Sequence, residues 1–179
     1  YCIADGAVLM RSPLWGGNAR EVGRTRRGTK IAAAEMAGGH TAVFFLTEHR
    51  TTEGMLGEAF VAVDEMEPMR ISEEGSGATQ VLAAPVGGQA VVAMLDARLS
   101  MTPLHVRTVS LRDGKVSFGK DAVVFVGGAP ELGVEMSIAT TPSSLTALIP
   151  LPTDATQFAM ATVNVTLPPH DDHPARWVA

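Results

Sequence analysis

The chain has 179 residues, 46% of them apolar, with a formal net charge of −5 and a pI near 5.5. That length and apolar content are enough for one domain with a buried core, and they exclude a disordered chain. The acidic balance excludes an extended phosphate-binding surface, because there is no basic excess to displace counterions, so no nucleic-acid partner is expected.

Along the chain, the opening YCIADGAVLM has neither a basic leader nor an initiator methionine, and the closing HPARWVA has no charged tail. Both ends read as cuts in a longer chain. Cys2 is the single cysteine, so no internal disulfide is expected. The compartment stays open, with a secreted or periplasmic place favoured over the cytoplasm. No apolar run approaches the roughly 20 residues that span a bilayer, so no membrane span is expected. The basic cluster RTRRGTK at 24–30 is short, carries no interleaved aromatic and reads as a solvated loop face.

From residue 30 a pattern recurs. KIAAAEMAGGHTAVFFLTEHR aligns with QVLAAPVGGQAVVAMLDAR. Gly38-Gly39 falls on Gly87-Gly88 after a one-residue gap, 41–46 falls on 90–95, and Glu48-x-Arg50 falls on Asp96-x-Arg98. A weaker third copy, MSIATTPSSLTALIPLPTDA, has Pro142-Ser143-Ser144 at the turn and lacks the acid-x-Arg, while Ile31, Val81 and Ile138 occupy matching places. The spacing is about 50 and then about 57 residues, within the range of repeat folds. The expectation is one repeat-built domain over 1–179 with units 30–78, 79–135 and 136–179.

Each unit predicts about four strands. The segment before Gly-Gly contains good helix formers, but Pro85 interrupts its counterpart and favours an extended chain. AVFFL and AVVAM are apolar on both faces, as innermost buried strands are. After a short acid-Arg turn come 58–64, 104–111 and 158–165, rich in Val, Phe and Thr and partly alternating. Asp113-Gly114 is a hairpin signal, since these residues accept the positive φ of a tight turn. The run 121–128 follows as a further strand, and 68–72 is its less clear equivalent in the first unit. Eighteen glycines and eleven prolines fit many short strands and turns, and the nine scattered methionines read as core filling.

The fold class is therefore all-β, in repeated four-stranded antiparallel units. Two architectures suit that period, a β-propeller of about three to three and a half blades and, as the alternative, a β-trefoil of three units. The count of copies favours the trefoil. The gradient from buried to polar strands within a copy favours the propeller. In AVVAMLDARLSMTPLHVRTVSLRDG, the apolar inner strand, acid-x-Arg turn and alternating strand resemble one blade of a sialidase-like or related bacterial propeller. The resemblance covers 30–165 and implies the fold only. The family's Ser-x-Asp-x-Gly-x-x-Trp turn is missing, with RDGKVSF a distant echo, and Tyr1 is the sole tyrosine. Three to three and a half blades cannot close a ring of about four to eight. Another chain, the rest of a precursor or a second copy is then expected to complete it, and an isolated stable monomer is not expected.

Loops at the channel mouth of such a fold would carry His40, Gln89, Asp64, Glu65, Arg112 and Asp113, which are the candidate ligand-binding residues. PPHDDHP at 168–174 is the most metal-like cluster. His170, Asp172 and His173 are candidate ligands for a divalent cation, although adjacent residues of an extended, proline-flanked segment point apart. Otherwise no cofactor is expected. Glu48, Arg50, Asp96 and Arg98 read as structural pairs that lock neighbouring blades. No nucleophile elbow, P-loop or dinucleotide fingerprint occurs. The expected function is a binding or scaffolding module that presents loops to a protein or glycan. The alternatives are a carbohydrate-active hydrolase or lyase, for which only fold analogy speaks, and a trefoil lectin, which would repeat an aromatic in each sugar pocket.

Overall fold

A computed structural model describes residues 2–4, 8–11, 18–25, 30–51, 54–96, 102–126, 135–151 and 154–165. They are all-β, in four antiparallel sheets laid down in chain order. The first holds β1 (Cys2–Ala4), β2 (Val8–Arg11) and β3 (Arg20–Arg24). The second is the meander β4 (Ala32–Met36), β5 (His40–Thr51), β6 (Gly54–Val63) and β7 (Met69–Arg70). The third runs β8 (Ala78–Val86), β9 (Gln89–Asp96) and β10 (Thr102–Arg112), with β11 (Lys115–Phe118) and β12 (Ala122–Val126) both paired along β10. The fourth holds β13 (Ser137–Thr141), β14 (Ser144–Leu151) and β15 (Asp154–Asn164).

The recurring Gly-Gly sits in the turn between the first two strands of its sheet. Gly87 and Gly88 have φ of 55° and 76° and close a two-residue turn between paired Val86 and Gln89. Two positive φ values in a two-residue hairpin give a turn whose twist matches the flanking strands. In the second sheet Met36 pairs with His40, so the turn takes three residues, Ala37 joining Gly38 and Gly39. That extra residue is the gap in the sequence alignment. The two turns lie side by side, for Ala37 N–H donates to Gly88 O at 2.8 Å. In the fourth sheet Pro142-Ser143 makes the turn, and Ser143 N–H donates to Thr141 Oγ1 at 3.3 Å.

Strand alternation then builds three core layers. On β5, Ala42, Phe44 and Leu46 face the third sheet, and Val43 and Phe45 face the first. On β9, Ala90, Val92 and Met94 face the second sheet, whereas Val91, Ala93 and Leu95 meet Leu145, Ala147 and Ile149 of β14. The runs 42–46 of β5 and 90–95 of β9 are apolar without interruption because a sheet covers each of their faces. Each is the second strand of its meander, with neighbours on both sides, rather than an inner edge. The first strands approach one another, β4 against β8 and β8 against β13. None of the three layers joins the first sheet to the fourth among the described residues.

Three expectations are corrected. Glu48-x-Arg50 is not a turn, because β5 continues to Thr51, with Glu48 opposite Gly57 and Arg50 opposite Met55. The strand expected over 121–128 forms as β12 (Ala122–Val126), but an unexpected strand, β11, comes first after Asp113-Gly114. β11 takes the near half of β10 at 109–112, and β12 takes the far half at 102–106. Nor does each unit hold four strands, for the third sheet has five and the fourth three among the described residues, and a three-stranded sheet precedes residue 30, where the short β1 and β2 leave no repeat legible.

Candidate functional site

All six candidate loop residues fall at one end of the sheet stack. In the second sheet the start of β5 pairs with the end of β6, which places His40 beside Asp64. In the third, Ala90 pairs with Val109, so Gln89 and the Arg112-Asp113 turn share that end. The hydrogen bond between the two glycine turns joins the ends of the two sheets.

Of the six, the structure couples His40 and Asp64. Asp64 ends β6 with φ 48°, a left-handed conformation that aspartate tolerates better than most residues. This bend turns its carboxylate back on β5, where Oδ1 accepts the Thr41 N–H at 3.0 Å and Oδ2 lies 2.6 Å from His40 Nδ1. Asp64 N–H in turn donates to Thr41 O at 3.0 Å. Burial of the carboxylate works against its charge, but the Thr41 N–H, the His40 hydrogen bond and the charges of His40 and Arg11 outweigh it. Asp64 is thereby held below the ordinary carboxylate range. The ionised carboxylate keeps the proton on His40 Nδ1. Gly38 underlies the ring, since a Cβ there would stand 3.1 Å from His40 Cδ2.

Asp64 and Glu65 open into a cleft of about 400 Å³ between β2–β3 and the connection from β6 to β7. Its floor is Val22, Met66 and Pro68. Its polar lining is charged in pairs, with Arg11 Nη1 3.4 Å from Glu65 Oε1 and Arg20 Nη2 3.5 Å from Glu67 Oε1. Sequence reasoning found Asp64 and Glu65 but missed Arg11 and Arg20, which lie in the sheet that the repeat did not reveal.

The remaining candidates separate from this cleft. Gln89, the repeat counterpart of His40, also faces the following sheet, but it is only 6% exposed and its Nε2 has no hydrogen-bond partner among the described residues. Arg112 and Asp113 are exposed on the β10–β11 turn, where Asp113 and Gly114 take φ of 50° and 71°. His170, Asp172 and His173 lie outside the described residues, as does Arg98. Among the described residues no group of three or more His, Cys, Asp or Glu is placed to hold a metal ion, and no helix is long and apolar enough to cross a membrane. Asp96 is buried, and its Oδ2 accepts the Gly77 N–H at 3.2 Å, which ties the connection leading into β8 to the end of β9.

A second His–Asp couple escaped the sequence reading. His105 on β10 places Nδ1 2.7 Å from Asp121 Oδ2, beside a cavity of about 10 Å³ that Ser72, Ser76 and Asp96 also line. A volume of that order is the space of roughly one water molecule. Ser72 Oγ accepts the Ala59 N–H at 3.0 Å, and Ser76 Oγ lies 3.0 Å from Gly57 O and 2.9 Å from Ser72 Oγ, so both hydroxyls serve the backbone. The Asp121 hydrogen bond raises the His105 pKa against the opposing effect of burial, helped by the charges of Asp121, Asp96 and Glu73. A raised folded pKa adds stability that is complete below the unfolded value near 6.5 and fades as pH rises through the folded value. Denaturation midpoints measured across pH should therefore show the advantage of wild type over His105→Gln largest below pH 6.5 and shrinking above it. An advantage that grows with pH would contradict this assignment.

Compared with protein-family profiles, with curated proteins and with solved structures, the chain matches none.

Proposed function

We infer that this chain is a binding module of β-propeller type that presents the cleft beside His40 and Asp64 to a protein or glycan partner, with a hydroxyl-rich ligand favoured. The observation that carries the reading is the cleft itself. Its volume of about 400 Å³ lies in the range of small-molecule sites, roughly 300–1,000 Å³. Its apolar floor suits the C–H face of a sugar ring or an apolar side chain. Its paired guanidinium and carboxylate groups already balance one another, which suits a neutral ligand that both donates and accepts hydrogen bonds. The propeller reading is supported by the chain-order stacking of the sheets and by the close approach of their first strands. The test is a glycan array and a peptide array probed with the full chain, followed by titration of the best ligand. Arg11→Ala is expected to weaken binding about tenfold or more, as loss of a charged hydrogen-bond donor does. An unchanged affinity, or binding to neither array, would defeat the reading. Release of cleaved sugar would favour a carbohydrate-active enzyme instead.

A further inference from the structure

We propose that the outer face of the fourth sheet docks on the first sheet of a second copy of this chain, and that two copies close head to tail into one ring of eight sheets. The proposal rests on the propeller reading above. The inward residues of the fourth sheet, Ile138, Leu145, Ala147, Ile149 and Ala161, meet the third sheet. Alternation puts Thr146, Leu148, Met160 and Thr162 on the other side. There Leu148 pairs with Met160, and the Thr146 and Thr162 hydroxyls join at 3.0 Å. Met160 is 71% exposed and Leu148 41% exposed, and both are large apolar side chains. None of the outward positions of β13, β14 and β15 among the described residues carries a charge, in a chain where 18% of residues are charged. An uncharged sheet face with exposed apolar side chains is a surface that solvent disfavours and another sheet covers well.

The occupant follows from the sense of the stack. Each internal contact sets the trailing face of one sheet on the leading face of the next. Among the described residues no sheet covers the trailing face of the fourth sheet or the leading face of the first, on which Val8 and Met10 lie opposite the inward Leu9 and beside the exposed ion pair of Arg24 and Glu21. A second copy offers the complementary face with the same hand, and head-to-tail contacts that close give a ring. Twice the four sheets of the described residues makes eight, within the four to eight of closed propellers.

The experiment is mass measurement by light scattering on the full chain, with circular dichroism to confirm β structure. Wild type should give twice the 18.8 kDa of one chain. Met160→Lys and Val8→Lys should each halve that mass while keeping the β spectrum. A folded wild-type monomer overturns the proposal, and so does a polymer that does not close. A dimer lost in Met160→Lys but kept in Val8→Lys shows two fourth sheets face to face and overturns the head-to-tail ring. If either variant fails to fold, Thr162→Lys and Met10→Lys take its place on the same faces. A monomer that still binds its array ligand leaves the binding reading standing, whereas a dimer that binds none leaves the ring standing alone.

Discussion

Replacing Phe44 by alanine is expected to destabilise the protein by about 4 kcal/mol, within the usual range for truncating a buried phenylalanine. Phe44 is fully buried in the layer between the second and third sheets, with Ala34, Met36, Val61, Val81 and Val92 in the same cluster. Those neighbours belong to two sheets whose backbones are held by their own hydrogen-bonded ladders, so they relax poorly into the space left behind. Total stability of a domain is about 5–15 kcal/mol, so this one change removes a large share of it. Phe44→Leu, which keeps most of the volume, should cost about 1.5 kcal/mol. The check is the denaturant midpoint at fixed protein concentration, because assembly adds to apparent stability. Equal midpoints for Phe44→Ala and wild type would mean that the layer is not closed around this ring. Phe45 points the other way and stacks on Phe60 with ring centroids 6.1 Å apart, so its truncation loosens the first sheet from the second instead.

Gly57→Ala is expected to cost about 3 kcal/mol or more, although it adds one methyl group. Gly57 lies on β6 opposite Glu48, and a Cβ there would stand 2.1 Å from the backbone oxygen of Ala78. The second and third sheets meet at this point through backbone, and the Ser76 hydroxyl donates to the Gly57 carbonyl at 3.0 Å. Because the obstructing atom is backbone, relief requires the sheets to separate. Gly119→Ala is the control. Its Cβ would meet Thr108 Oγ1, also at 2.1 Å, but that hydroxyl can rotate away, so a loss of about 1 kcal/mol is expected. A Gly57→Ala midpoint no lower than that of Gly119→Ala would show that the two sheets have room to spare.

Much of the fold was legible because it rests on local rules. Asp113-Gly114 marked a hairpin through its two positive φ values, and the Gly-Gly repeat marked two more turns. The strands 41–46 and 90–95 were legible as buried on both sides because no polar residue alternates between 42 and 46 or between 90 and 95. β7 was barely visible, since two paired residues carry no periodicity. The candidate site was half visible. His40 and Asp64 were placed at one loop end, but their contact depends on the bend at Asp64 that returns its carboxylate to Thr41. Gln89 was read as a loop residue and is buried, because the fourth sheet covers the start of β9.

By itself the sequence determined the all-β class, the glycine turns and the strand runs that face no water. These follow from backbone conformation and from apolar alternation, both local properties of neighbouring residues. Only the tertiary structure decided which sheet faces meet and which charges face each other. Arg107 shows why: its Nη1 reaches the Ile71 carbonyl at 2.6 Å across a sheet interface, and its guanidinium lies over Phe118. His105 and Asp121, and Arg11 and Glu65, likewise meet only after strands far apart in the chain are paired and stacked. No spacing rule encodes such contacts, because the distance between their partners is set by sheet packing rather than by the chain that links them.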